Sequence, residues 1–173
     1  MTDRESYSDR QPAASVVVPV YNKASHLKAC FDCLERQTIS KSDLEVLLID
    51  DGSTDESLAL CEAFAAERPW VRVVAQPNAG VSEARNAGIR AARGRYLFFL
   101  DPDDSLSPET LENVSKFFES CPDEVELATY PIVSIREGKR QRLHHRYDVL
   151  RETGIYDLTL PENATIAQAT MNV

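Results

Sequence analysis

Short runs of consecutive apolar residues alternate along this chain with longer stretches in which apolar residues recur every three or four positions. "ASVVVPVY" (14–21) and "LEVLLID" (44–50) are largely apolar and rich in branched side chains, which predicts strands covered on both faces. "VRVVA" (71–75), "RYLFFL" (95–100) and "VELATYPIVSI" (125–135) are a third, a fourth and a fifth strand. Helical spacing fills the gaps. A helix is predicted over about Ser25 to Gln37, with Leu27, Cys30, Phe31 and Leu34 on one face. A second runs through Leu58, Cys61 and Phe64 to a stop near Pro69, with Ser53 and Glu56 spaced as a capping box. A third covers about Val81 to Arg93 and has a small inner face of Ala84, Ala87, Gly88 and Ala91, with Gly94 as its stop. A fourth starts at Ser107 as cap, with Pro108 at its first position. Strands alternating with helices predict an α/β fold, a mostly parallel Rossmann-like sheet with helices on both faces.

In such sheets ligands gather beyond the carboxyl ends of the strands. The polar residues at those ends are Tyr21-Asn22, Asp50-Asp51 and Asp101-Pro102-Asp103-Asp104, so three clusters are expected on one rim. Like charges crowded together repel and need a counter-charge or water. Asp101 and Asp103 are one residue apart and can both turn to a single cation, and hard oxygen ligands suit Mg²⁺ or Mn²⁺. An acidic loop that caps the next helix is the other reading, and spacing alone leaves both open.

Composition narrows the field. A length of 173 residues with 43% hydrophobic content suits one globular domain with a real core. A formal charge of −9 argues against nucleic acid as a partner. The opening "MTDRESYSDRQP" is polar, and no stretch approaches the roughly 20 apolar residues of a membrane span. The expectation is a cytoplasmic chain with a flexible tail over 1–13 and a domain over 14–173. Cys30 and Cys33 form a C-x-x-C, but Cys30 falls on the apolar stripe of a helix, and no second C-x-x-C completes a zinc site, so both read as small core residues. His144 and His145 are neighbours whose side chains diverge in a strand, which disfavours a shared metal. Neither a G-x-x-x-x-G-K-[ST] loop nor a G-x-S-x-G elbow occurs.

Taken together, "SVVVPVYN", "LLIDDGSTD" and "NAGVSEARNAGIRAARGRYLFFLDPDD" resemble, in order and spacing over about 14–120, the nucleotide-sugar-binding half of family-2 glycosyltransferases with the GT-A fold. The resemblance implies a role for each matching position. Pro19 and Tyr21 would line the nucleobase pocket, and Asp51 would accept from the base, usually uracil, whose N3–H is a donor. Asp101 and Asp103 match the D-x-D pair, with Asp103 a metal ligand and Asp101 holding ribose or metal. Arg85 would steady the phosphates or the acids, and Asp104 would face the acceptor or cap a loop. The implied cofactor is Mn²⁺ or Mg²⁺, and the implied reaction is transfer of a sugar from UDP to a hydroxyl of a cell-surface glycan or polymer, with inversion.

The family's general base, an aspartate in a later motif, has no match after Asp104. The expectation is an incomplete GT-A domain, lacking part of its acceptor side, with the base beyond Val173. A noncatalytic nucleotide-sugar-binding or assembly module is therefore an alternative. A nucleotidyltransferase ranks lower, because "VYNKASHL" has no glycine where those enzymes carry a glycine-rich loop. The segment 136–151, "REGKRQRLHHRYDVLR", reverses the acidic balance of the chain. It reads as a solvated hairpin around Gly138, or as a contact for an anionic acceptor of the polyol-phosphate kind or for the inner face of the cell membrane.

Overall fold

A computed structural model describes residues 11–120 together with Ile135, Arg136, Lys139 and Arg140. Four strands, β1 (Ala14–Val20), β2 (Leu44–Asp50), β3 (Val71–Ala75) and β4 (Tyr96–Phe99), form one sheet in the order β3-β2-β1-β4. Each neighbouring pair is parallel, with Val16 beside Val46 and Phe98, and Leu48 beside Val73. The central strands β1 and β2 are buried along their whole length, as their apolar runs require.

Alternate residues of those strands feed two apolar clusters. Val16, Val18 and Val20 pack with Val46 and Leu48 against Leu27, Cys30 and Leu34 of α1 (Ala24–Glu35), Cys61 and Phe64 of α2 (Ser57–Ala66), and Leu111 of α4 (Thr110–Ser120). On the other face Val17, Leu47 and Ile49 meet Ala84 of α3 (Val81–Ala91), with Ala87 and Ala91 packed alongside. Helices therefore lie on both faces. A one-residue slip of β1 would exchange its two sets of valines, so the register is strongly specified.

The small face of α3 has a measurable consequence. A Cβ built on Gly88 would lie 2.2 Å and 2.8 Å from the two γ-carbons of Val17. Val17 is β-branched and stiff, so no rotamer clears both contacts. Gly88→Ala should gain about 1 kcal/mol of helix propensity and lose about 3 kcal/mol to overpacking, a net loss near 2 kcal/mol in urea unfolding. Adding Val17→Ala should cost less in the Gly88→Ala background than in the wild type, and equal costs in the two backgrounds would refute the contact.

Three element ends differ from the sequence reading. The capping box fails: α2 starts at Ser57 with no side-chain cap on Glu56, because the Ser53 hydroxyl accepts from the backbone N–H of Asn22 at 3.1 Å. Asp55 accepts from the Ser57 N–H instead. Gly94 is not the stop of α3, which ends at Ala91, where Ala92 turns extended and the Arg93 N–H goes to Glu45. Gly94 is needed for close approach, since a Cβ there would sit 2.5 Å from the Ser15 nitrogen. Helix α4 begins at Thr110 rather than at Pro108, and the Ser107 carbonyl receives the N–H of Thr110 and the side-chain amide of Gln37. At the amino end, the carbonyls of Pro12 and Ala13 accept from Arg95 and Tyr96.

The C-x-x-C is structural. Cys30, Cys33 and Cys61 are buried free thiols. Burial, with Cys33 and Cys61 close by, pushes the Cys30 thiol up to about 12. Burial and the nearby Asp50 do the same to Cys61. Neither is a nucleophile at neutral pH.

The chain divides into two compact units, 1–119 and 120–173. In the second, β5 (Ile135–Arg136) and β6 (Lys139–Arg140) pair antiparallel on either side of Gly138, the hairpin expected there. Of the strand expected over 125–135 only Ile135 is described, and it falls in β5; the rest of that strand, the rest of the basic segment and Cys121 lie outside the described residues.

Candidate active site

Beyond the carboxyl ends of β1, β2 and β4 lies a cavity of about 490 Å³ lined by Pro19, Tyr21, Lys23, Asp51, Asp101 and Asp103, together with Asn78 and Gly80 of the β3–α3 loop and Val81 and Ala84 of α3. Parallel strands end at one level, so residues 80 positions apart in sequence share one rim.

Asp51 follows β2 and is 2% exposed. Its Oδ1 accepts from Gln76 Nε2 at 2.7 Å and from the Ala79 N–H at 2.9 Å, and its Oδ2 accepts from the Gly80 N–H at 2.8 Å. Burial alone would raise its pKa, but these three donors outweigh burial and hold the carboxyl below its usual value. A carboxylate offers about four lone-pair sites, so one remains, on Oδ2. The neighbouring Asp50 is also buried, but it accepts from the Ser53 N–H and does not line the cavity.

The turn after β4 carries the other acids, closed by the Asp104 N–H donating to the Asp101 carbonyl. Arg85, on α3, places one Nη2 between the two oxygens of Asp101, at 2.9 and 3.1 Å. Lys23 Nζ donates to Asp103 Oδ2 at 2.6 Å. That bond, with His26 adding a weaker field, holds the Asp103 carboxyl below its usual value. Asp104 moves the other way: partial burial raises its pKa, and the charges of Asp101 and Asp103 add to the rise. It is not among the residues lining the cavity.

Tyr21 is 47% exposed at the mouth. Its position is set by Asn22, which sits at φ 51°, in the left-handed region. There the Asn22 Oδ1 accepts from the N–H groups of Thr54 and Asp55. Left-handed asparagine is tolerated where its amide is satisfied locally.

The structure thus brings Pro19, Tyr21, Asp51, Asp101 and Asp103 to one cavity, with Arg85 held on Asp101 and Asp104 outside the lining. Sequence reasoning missed Lys23 and Gln76. Both were visible only as polar residues beside strand ends, and nothing local ties them to acids 80 and 25 positions away. Among the described residues no group of three or more His, Cys, Asp or Glu side chains is arranged to hold a metal ion. The acids present still fit a hard divalent ion of the Mg²⁺ or Mn²⁺ class. Asp101 and Asp103 supply two hard oxygen donors on one cavity, and such ions take their remaining ligands from water and phosphate.

A doubly covered parallel sheet with an acid-lined cavity at its carboxyl rim is the architecture of a ligand-binding α/β domain. The comparisons with known proteins place it more closely. The Glycosyl transferase family 2 model matches residues 15–172, and the chain belongs to that family. It is 40% identical over 145 residues to the minor teichoic acid biosynthesis protein GgaB of Bacillus subtilis (strain 168), covering 83% of this chain and 16% of GgaB. Among solved structures it is similar to S. aureus TarS 1-349 in complex with UDP-GlcNAc, at 30% identity and a TM-score of 0.58, covering 61% of this chain and 31% of that one. The mannosyltransferase PcManGT from Pyrobaculum calidifontis, in complex with GDP-Man and Mn²⁺, shares the fold at 23% identity and a TM-score of 0.60, over 69% of this chain and 38% of that one. The chain therefore spans less than half the length of each of these relatives. No helix among the described residues is long and apolar enough to cross a membrane.

Proposed function

We propose that this domain binds a UDP-sugar with a divalent ion, and that the protein transfers the sugar, with inversion, to a hydroxyl of a cell-surface glycan or polyol-phosphate polymer. The observation that carries the reading is that Asp51, Asp101 and Asp103 line one cavity beside Pro19 and Tyr21. The names of GgaB and of the TarS complex support the polymer and the uridine donor.

Tyr21 and Pro19 supply the flat apolar wall for the nucleobase. The remaining lone pair of Asp51 suits a single donor, the N3–H of uracil. Asp103 and Asp101 would hold the cation, with Asp101 the candidate for ribose as well, and Arg85 keeps Asp101 oriented. When bound, Mn²⁺ or Mg²⁺ would supply positive charge for the diphosphate leaving group. Asp104, with its raised pKa, stands on the acceptor side. The base that takes the acceptor proton is assigned to no described residue.

Calorimetric titration tests this. UDP should bind at least tenfold more tightly with Mn²⁺ than with a chelator, and more tightly than GDP. Asp103→Asn should remove most of the Mn²⁺ dependence, a loss of about tenfold expected when a ligating charge is removed. Binding of UDP that ignores both Mn²⁺ and Asp103→Asn would rule the reading out.

A further inference from the structure

The counter-charges at the acidic turn are not alike. Asp101 is held by one Arg85 nitrogen shared between both of its oxygens. Asp103 is held at one oxygen by Lys23 Nζ, with the two side chains 34% and 47% exposed. The Lys23 backbone is fixed: its N–H donates to Ser57 Oγ, and its carbonyl accepts from the N–H groups of His26 and Leu27. Only the four-carbon arm is free to swing, and it lines the same cavity as both acids. A lysine ammonium is a compact charge that re-aims easily, unlike the planar arginine fork.

We propose that Lys23 is a two-position cation, neutralising Asp103 in the empty site and donating to a diphosphate oxygen of the nucleotide once Asp103 holds a divalent ion. This rests on the reading of the cavity as a UDP-sugar site. The charges agree with it. With only Lys23 and Arg85 present, Asp101 and Asp103 are balanced one to one. A divalent ion entering alone has to displace the Lys23 ammonium from Asp103 and then repels it, a repulsion that the nearby carboxylates of Asp51 and Asp104 reduce without giving the ammonium a new partner of its own. A metal–diphosphate pair enters nearly neutral, and Lys23 then has an anion to move to. Lys23 thereby opposes binding of the ion alone and favours binding of the ion with the nucleotide, a positive coupling between the two ligands.

The test uses the full 173-residue chain and the variant Lys23→Gln, in two measurements. Free Mn²⁺ is followed by electron paramagnetic resonance without nucleotide, and UDP is titrated calorimetrically at saturating Mn²⁺. Lys23→Gln should tighten Mn²⁺ alone by about three- to tenfold and weaken UDP by a similar factor, the size expected for a half-exposed ion pair. The opposite signs are diagnostic, because a merely structural lysine would weaken both or neither. Unchanged or weaker Mn²⁺ binding in the variant, or undiminished UDP binding, overturns the two-position role while leaving the UDP site in place. Absence of Mn²⁺-dependent UDP binding in the wild type overturns the site and this role together.

Discussion

Glu45→Ala is expected to destabilise the domain by about 3 kcal/mol, at the lower bound for breaking a buried charge pair. Glu45 is the second residue of β2 and is 1% exposed, at the end of the sheet opposite the cavity. Its Oε1 accepts from Arg72 Nη1 at 2.9 Å and Arg93 Nε at 2.8 Å, and its Oε2 accepts from Ser15 Oγ at 2.6 Å and the Arg93 N–H at 2.9 Å. Every acceptor site is used. The two arginine side chains stay 41% and 37% exposed, so they recover water when the carboxylate is lost, which keeps the cost at the lower bound. The buried Ser15 hydroxyl recovers much less.

The same network makes stability depend on pH. Burial by itself would raise the Glu45 pKa, but hydrogen bonds from Ser15, Arg93 and Arg72 outweigh it and hold the carboxyl below its usual 4.5. A depressed folded-state pKa contributes stability that is full above the unfolded value and is lost as pH falls through the folded one. Urea unfolding should therefore show the gap between wild type and Glu45→Ala at its widest near neutrality, closing as pH drops below 4.5. A gap of equal size at both pH values would contradict the assignment of the charge. UDP affinity of the folded variant should match the wild type, since Glu45 is remote from the cavity.

Glu45 also shows what a sequence conceals. "LEVLLID" read correctly as a buried strand, because continuous apolar runs are a local signal, and β1, β2 and β3 were legible for that reason. Glu45 within it gave no sign of its partners, Arg72 and Arg93, which lie 27 and 48 positions away. The helix ends misread for the same cause. Ser53 has the spacing of a cap, yet its hydroxyl is taken by Asn22, and α3 stops where Glu45 captures the Arg93 N–H. The acids of the candidate site were legible because strand ends are local, and parallel topology then places them together. Their counter-charges were not legible, because Lys23 faces Asp103 only once β1 and β4 pair.

The last expectation concerns Asp51, where one substitution should redirect nucleotide choice. Asp51→Asn keeps the shape and replaces one acceptor oxygen by an N–H donor group. An amide nitrogen at the Oδ1 position would face two donors, Gln76 Nε2 and the Ala79 N–H, whereas at the Oδ2 position it faces one, the Gly80 N–H. The second arrangement has fewer conflicts, and it turns the new donor to the cavity. Losing a charge-assisted bond to Gly80 and leaving donor against donor should cost about 2–3 kcal/mol of stability. For UDP the effect is compounded, because the N3–H of uracil now meets another donor, and affinity should fall about a hundredfold. Cytosine carries an acceptor at N3, so CDP should lose far less and overtake UDP. The UDP-to-CDP ratio is the decisive measurement. A loop 76–80 merely displaced by the substitution would weaken both nucleotides alike, so an unchanged ratio would remove Asp51 from base recognition, and an inverted one would place its free lone pair against the base edge.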